Sequence, residues 1–193
     1  MDNSKEKVKR KGVIKKIILS ILGIFLIAIA VGVGILQSTV SCINKEYTME
    51  ETVLGKGEKT ALLIYEPSKH DTAKEVSMSV AQIMVDHGYT VTINCPTKEL
   101  VYDWEKYDVI ALGSPIYAGK VSPVLKDYVT RNPIENKNLL LYSIGSAPVE
   151  NTTEIDEMNT WVSEKNNIVK TKCKIDERVT FENYIDKTLT DWE

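Results

Sequence analysis

The stretch from Tyr107 to Val129, YDVIALGSPIYAGKVSPVLKDYV, decides the fold. Val109, Ile110, Ala111 and Leu112 form an unbroken apolar run of strand length, which suits a central parallel strand covered on both faces. The run stops at Gly113. Gly113 and Gly119 bracket Ser114, Pro115, Ile116, Tyr117 and Ala118, so the backbone is expected to turn sharply and approach a ligand closely while Tyr117 stands out on the loop. Ser122 then occupies a helix N-cap with Pro123 at the first helical position, and Val124, Leu125, Tyr128 and Val129 supply an apolar stripe. Strand, glycine loop and helix in that order place the loop at the carboxyl edge of a parallel sheet, where open α/β folds bind ligands.

Working outward, Thr60 to Tyr65 reads as a second buried strand. A helix follows over 72–87, with Asp71 as its N-cap, Ala73, Val76, Val80, Ile83 and Met84 on one face, and Gly88 ending it. Tyr89 to Asn94 alternates as a half-exposed edge strand would. Leu139 to Ile144 is another apolar run, closed by Gly145 and Pro148. Asn151 and Glu154 have capping-box spacing before Ile155, Met158, Trp161 and Val162, and a last strand is expected near Ile168 to Ile175. Strands alternating with helices predict a doubly wound α/β sheet.

The segment Gly113-Ser114-Pro115-Ile116-Tyr117-Ala118-Gly119 resembles the G-S-P-I-Y-x-G loop of the flavodoxin-like family. That resemblance covers about Lys59 to the end of the chain. It implies a five-stranded parallel sheet in the order 2-1-3-4-5, FMN as cofactor, and an aromatic residue, here Tyr117, against the isoalloxazine. The backbone of Ser114, Pro115, Ile116, Ala118 and Gly119 would border the ring, and Ser143 and Gly145 would lie in a second wall. Phosphate binding falls to the first βα loop, Glu66 to Thr72, where Ser68, Lys69, His70 and Thr72 are the candidate ligands. This loop departs from the family's S/T-x-T-G-x-T pattern: it has no glycine, and it carries Asp71.

Ile17 to Leu36 holds no charge and only Ser20 as a polar side chain, the length of a transmembrane helix and longer than a cleaved signal's apolar region. Seven basic residues precede it, so the positive-inside rule puts the amino terminus in the cytoplasm and the globular part outside. The expected organisation is a basic tail over 1–16, a span over 17–36, a tether over 37–58 and a flavodoxin-like domain over 59–193. Of 24 basic and 27 acidic residues, seven and two precede Ile17; the remainder, 17 and 25, carry a net charge of −8. Nucleic acid is thereby disfavoured as a partner, and an acidic surface suits a basic redox partner.

Cys42, Cys95 and Cys173 show no metal-ligand spacing, so no metal site is expected and the last two should remain thiols. No nucleophile and base pair argues for hydrolysis, and no catalytic side chain is assigned. Thr190-Asp191-Trp192-Glu193 has helix-start spacing at the end of the chain, which predicts that a terminal helix is missing. A similar T-D-W-E in the branch resembling menaquinone-dependent protoporphyrinogen dehydrogenase implies, as the alternative function, oxidation of a porphyrinogen with quinone as acceptor. The leading expectation is a membrane-anchored FMN protein in electron transfer. A flavin-free binding module with a degenerate phosphate loop is the reading from another class.

Overall fold

The computed structural model describes residues 18–35, 37, 47–146 and 152–192, so the expectations for the basic tail, Cys42, Pro148 and Asn151 lie outside the described residues. The chain divides into two compact units, Met1–Ser41 and Cys42–Glu193. In the first, helix α1 (Ile18–Ile35) is 18 residues long with a mean hydropathy of 2.8, sufficient in length and composition to cross a bilayer.

The second unit is a six-stranded sheet. Its strands are β1 (Thr52–Leu54), β2 (Lys59–Tyr65), β3 (Tyr89–Asn94), β4 (Val109–Pro115), β5 (Asn138–Gly145) and β6 (Asn167–Lys174), in the spatial order β1-β3-β2-β4-β5-β6. All pairings from β3 to β6 are parallel, and these five strands have the expected 2-1-3-4-5 order. β1 is an addition, antiparallel to β3 with Thr52 opposite Ile93 and Leu54 opposite Val91. The expected tether thus contains a strand, and β3 is flanked on both sides rather than lying at an edge. Three residues are too few for alternation to reveal a strand.

Helices α2 (Thr72–Asp86) and α5 (Arg178–Asp191) pack on one face of the sheet; α3 (Pro123–Arg131) and α4 (Thr153–Asn159) lie on the other. Odd-numbered residues of β2 and β4 enter the first core with Val76, Val80, Met84, Phe181 and Ile185. Even-numbered ones enter the second with Leu125, Tyr128, Val129 and Met158. A terminal helix is therefore present, against expectation. Phe181, Ile185 and Leu189 recur at every fourth residue and are buried, but Asn183, Thr188 and charged residues between them blur the stripe. Thr190 and Asp191 finish α5 and Trp192 caps its carboxyl end, so this motif closes a helix instead of starting one.

Gly113 has a different role from the one expected of it. β4 continues through it to Pro115, and a Cβ at position 113 would lie 2.3 Å from the Tyr142 ring and hydroxyl. The neighbouring strand's ring fills the space left by the missing side chain, and the Tyr142 hydroxyl hydrogen-bonds Ser77 Oγ of α2 at 2.7 Å. At the far end of α2, His87 caps the helix, Gly88 adopts φ 80, and His87 Nε2 lies 2.9 Å from Asp186 on α5.

Gly113→Ala should lower stability by about 3 kcal/mol, because the Tyr142 ring must leave its rotamer; Tyr142→Leu should recover part of that loss, both read as denaturant midpoints. Burial is the first cause that raises the phenols of Tyr102, Tyr128 and Tyr142 above the ordinary 10.0. The folded chain then holds these protons more tightly than the unfolded one. Their contribution is complete below pH 10 and is lost as pH rises through the folded values. Urea midpoints measured across that range should be flat below it and fall above it, less steeply in Tyr142→Phe.

Candidate functional site

The chain runs from β2 outward to β3 on one side, then crosses back to β4 on the other, so the carboxyl ends of β2 and β4 form a topological switch point. The first βα loop and the Tyr117 loop leave the sheet there. Glu66 N–H donates to Gly113 O at 3.0 Å, holding the start of one loop to the strand that carries the other.

The first loop makes its turn without glycine. Asp71 adopts φ 55, ψ −5, a left-handed conformation that a short Asx side chain tolerates better than most. It stands at the N-cap of α2 but its carboxylate makes no capping bond; Ser68 Oγ accepts from Ala73 N–H at 3.1 Å in its place. A hydroxyl that accepts this bond retains its own proton for an anion's oxygen. Thr72 Oγ donates to His70 O at 3.3 Å, and Lys69, His70 and Asp71 are exposed around the helix start. Glu66 is buried at the root of the loop. A helix N-terminus with Ser68 and Lys69 suits a phosphate group; the two carboxylates oppose it.

The second loop is a tight hairpin. Tyr117 N–H donates to Lys120 O and Lys120 N–H to Tyr117 O, each at 3.0 Å, with Ala118 at φ 50 and Gly119 at φ 73 between them. Positive φ at both central positions defines a type I′ turn. Ser114 anchors its base from the interior: the buried hydroxyl accepts from Ser122 N–H at 2.8 Å and donates to Pro115 O at 3.0 Å. Ser122 in turn accepts from Leu125 N–H at 3.2 Å, as expected of the cap of α3. The two loops meet where Lys69 N–H donates to the Tyr117 hydroxyl at 3.4 Å.

Beyond this pair, Ile116 N–H donates to Ile144 O at 2.9 Å, and a Cβ on Gly145 would lie 3.4 Å from Ile116 Cβ. The structure thus brings Ser68, Lys69, Tyr117, Ile116 and Gly145 to one rim. Ser114 and Ser143 are paired across β4 and β5 and buried below it; Ser114 supports the rim through its hydrogen bonds, whereas the buried Ser143 hydroxyl makes none.

Glu154 departs from its expected capping role. Thr152 occupies the N-cap of α4, with its hydroxyl donating to Asp156 at 2.8 Å, while Glu154 forms a buried ion pair with Lys172 of β6, the side chains 3% and 1% exposed. Lys170 bonds Asp156 at 2.9 Å and Lys174 bonds Glu177 at 2.5 Å. Lysines at alternate positions of the last strand, opposite carboxylates two apart on α4, are the sequence signal for this ladder. Cys95 and Cys173 are buried thiols, as expected.

The flavodoxin domain profile matches residues 62–175. The chain belongs to the flavodoxin domain family. Among solved structures, a flavodoxin from Streptococcus pneumoniae superposes with a TM-score of 0.52 at 13% identity, covering 68% of this chain and 99% of that one. A flavo di-iron protein from Thermotoga maritima gives a TM-score of 0.51 at 12% identity, covering 80% of this chain and 38% of that one. At these identities the likeness is one of fold. No curated protein matches the sequence significantly.

Glu154→Gln should cost about 3 kcal/mol, since it removes the anionic partner of a buried lysine. Replacing both partners, Glu154→Leu with Lys172→Met, should restore most of that stability in thermal denaturation.

Proposed function

We propose that this chain is a membrane-anchored FMN-binding protein of electron transfer. The observation that carries the reading is the meeting of the Ser68–Asp71 and Tyr117 loops at the switch point between β2 and β4, in a chain that belongs to the flavodoxin domain family. FMN supplies the redox chemistry when bound. Ser68 and the amino end of α2 hold the phosphate, with Lys69 adding charge and His70 beside it, and the Thr72 hydroxyl is available if it releases His70 O. The I′ hairpin presents Tyr117 to the ring face; Pro115, Ile116, Ala118, Gly119 and Gly145 border it through backbone. Ser114 acts from beneath, where Ser143 also lies. The acidic surface of the domain steers a basic redox protein to this rim.

Helix α1 anchors the protein in a single pass, and the basic residues ahead of it retain the amino terminus in the cytoplasm, so the domain faces away from it. Protease accessibility of the domain in sealed right-side-out vesicles tests that orientation: protection reverses it. A second reading, a flavin-free binding module, draws on the two carboxylates Glu66 and Asp71 within a glycine-free loop.

Titration of the detergent-purified full-length chain with FMN separates these readings. Saturable binding with quenching of flavin fluorescence supports the first, and no binding overturns it in favour of the second. Ser68→Ala should weaken FMN about tenfold, the loss of one hydrogen bond to a charged group. Asp71→Gly keeps the left-handed turn while removing a carboxylate beside the phosphate, and should tighten FMN. Tyr117→Leu should relieve the quenching.

A further inference from the structure

The chain entering the domain is fastened to the rim at alternate residues. Tyr47 O accepts from the Cys95 thiol at 3.1 Å, Met49 sulfur accepts from the Tyr65 hydroxyl at 3.6 Å, and Glu51 accepts from the Tyr102 hydroxyl at 2.6 Å. Asn94 Nδ2 donates to the same phenol at 3.0 Å while its oxygen accepts from Cys95 N–H at 2.9 Å, so Glu51 is tied through Tyr102 to the end of β3. Thr52–Leu54 then pairs with β3.

Direction matters here. β1 is antiparallel to β3 with Thr52 opposite Ile93, so the residues before Thr52 continue past the carboxyl end of β3, toward the end of the sheet where the ligand loops lie. All three donors lie at that end: Tyr65 is the last residue of β2, Cys95 follows β3, and Tyr102 belongs to the connection beyond it. Tyr65 leads directly into Glu66, Ser68 and Asp71. Met49 packs on the core that Tyr65 shares with Ala73 and Val76 of α2.

We infer that Tyr47–Glu51 is a strut of the cofactor site, with Met49 and Glu51 as positioning residues that brace the first βα loop and couple FMN binding to docking of the segment that follows the membrane helix. The inference rests on the FMN reading above. Met49 holds the hydroxyl of Tyr65, the residue after which the loop departs, and Glu51 fixes the register of the strut through Tyr102. If docking favours the bound form of the loop, FMN must favour docking by the same factor, because coupling between two binding equilibria is reciprocal. A segment that merely covers apolar surface would change stability without moving FMN affinity.

The test is amide hydrogen exchange over 47–54 in the detergent-solubilised full-length protein, with and without saturating FMN. Exchange there should slow about fivefold or more, the lower end of typical coupling. Met49→Ala and Tyr102→Phe should weaken FMN by a similar factor, and Met49→Leu, which preserves the packing, should restore it. FMN that binds with unchanged exchange over 47–54, or binds Met49→Ala and Tyr102→Phe as it binds the wild type, overturns the strut and leaves the FMN reading intact. A wild-type chain that takes up no FMN overturns both.

Discussion

β4 is buried at each of its seven residues and hydrogen-bonded along both edges, to β2 on one side and β5 on the other. Its register cannot slip by one residue without moving the alternate apolar set from one core to the other, and both cores are closed. Both loops of the candidate site hang from that register. It sets Gly113 opposite Tyr142, Ser114 opposite Ser143, and Pro115 opposite Ile144, so the Tyr117 hairpin emerges at a fixed height beside the first βα loop.

The polar groups beneath the rim are arranged to hold loops still. Ser114 satisfies the amide of Ser122 and the carbonyl of Pro115, closing both ends of a loop from one interior hydroxyl. Lys172 and Glu154 tie the last strand to the start of α4 in a setting where neither charge has water as a substitute. Such groups cost desolvation and return geometry: a hydroxyl or ion pair with one permitted set of partners specifies loop position more narrowly than an apolar contact does. The hairpin adds a backbone device, two successive positive φ values that only a tight turn of one hand accommodates.

The first βα loop shows how the family's turn is made from other residues. Without glycine, the left-handed position falls to Asp71, and the helix cap shifts to Ser68, three residues earlier in the chain. The consequence is electrostatic. A carboxylate now stands at a helix start that otherwise favours an anion, while the strut from Tyr47 to Glu51 supplies bracing from outside the loop.

Read alone, the residues determined the five parallel strands, helices α2 and α3, the Ser122 cap and the place of Tyr117 on a loop at the carboxyl edge, because each is written in local periodicity and turn chemistry that β4 and its neighbours do not override. Only the tertiary structure decided β1, whose three residues form a strand because β3 has an open edge, and α5, whose sparse stripe is amphipathic only once α2 and β6 define its buried side. It also decided what Gly113 and Glu154 do. A glycine beside an aromatic residue of another strand depends on which segments become neighbours, and the spaced lysines and carboxylates of β6 and α4 become a signal only once those two elements are known to face each other.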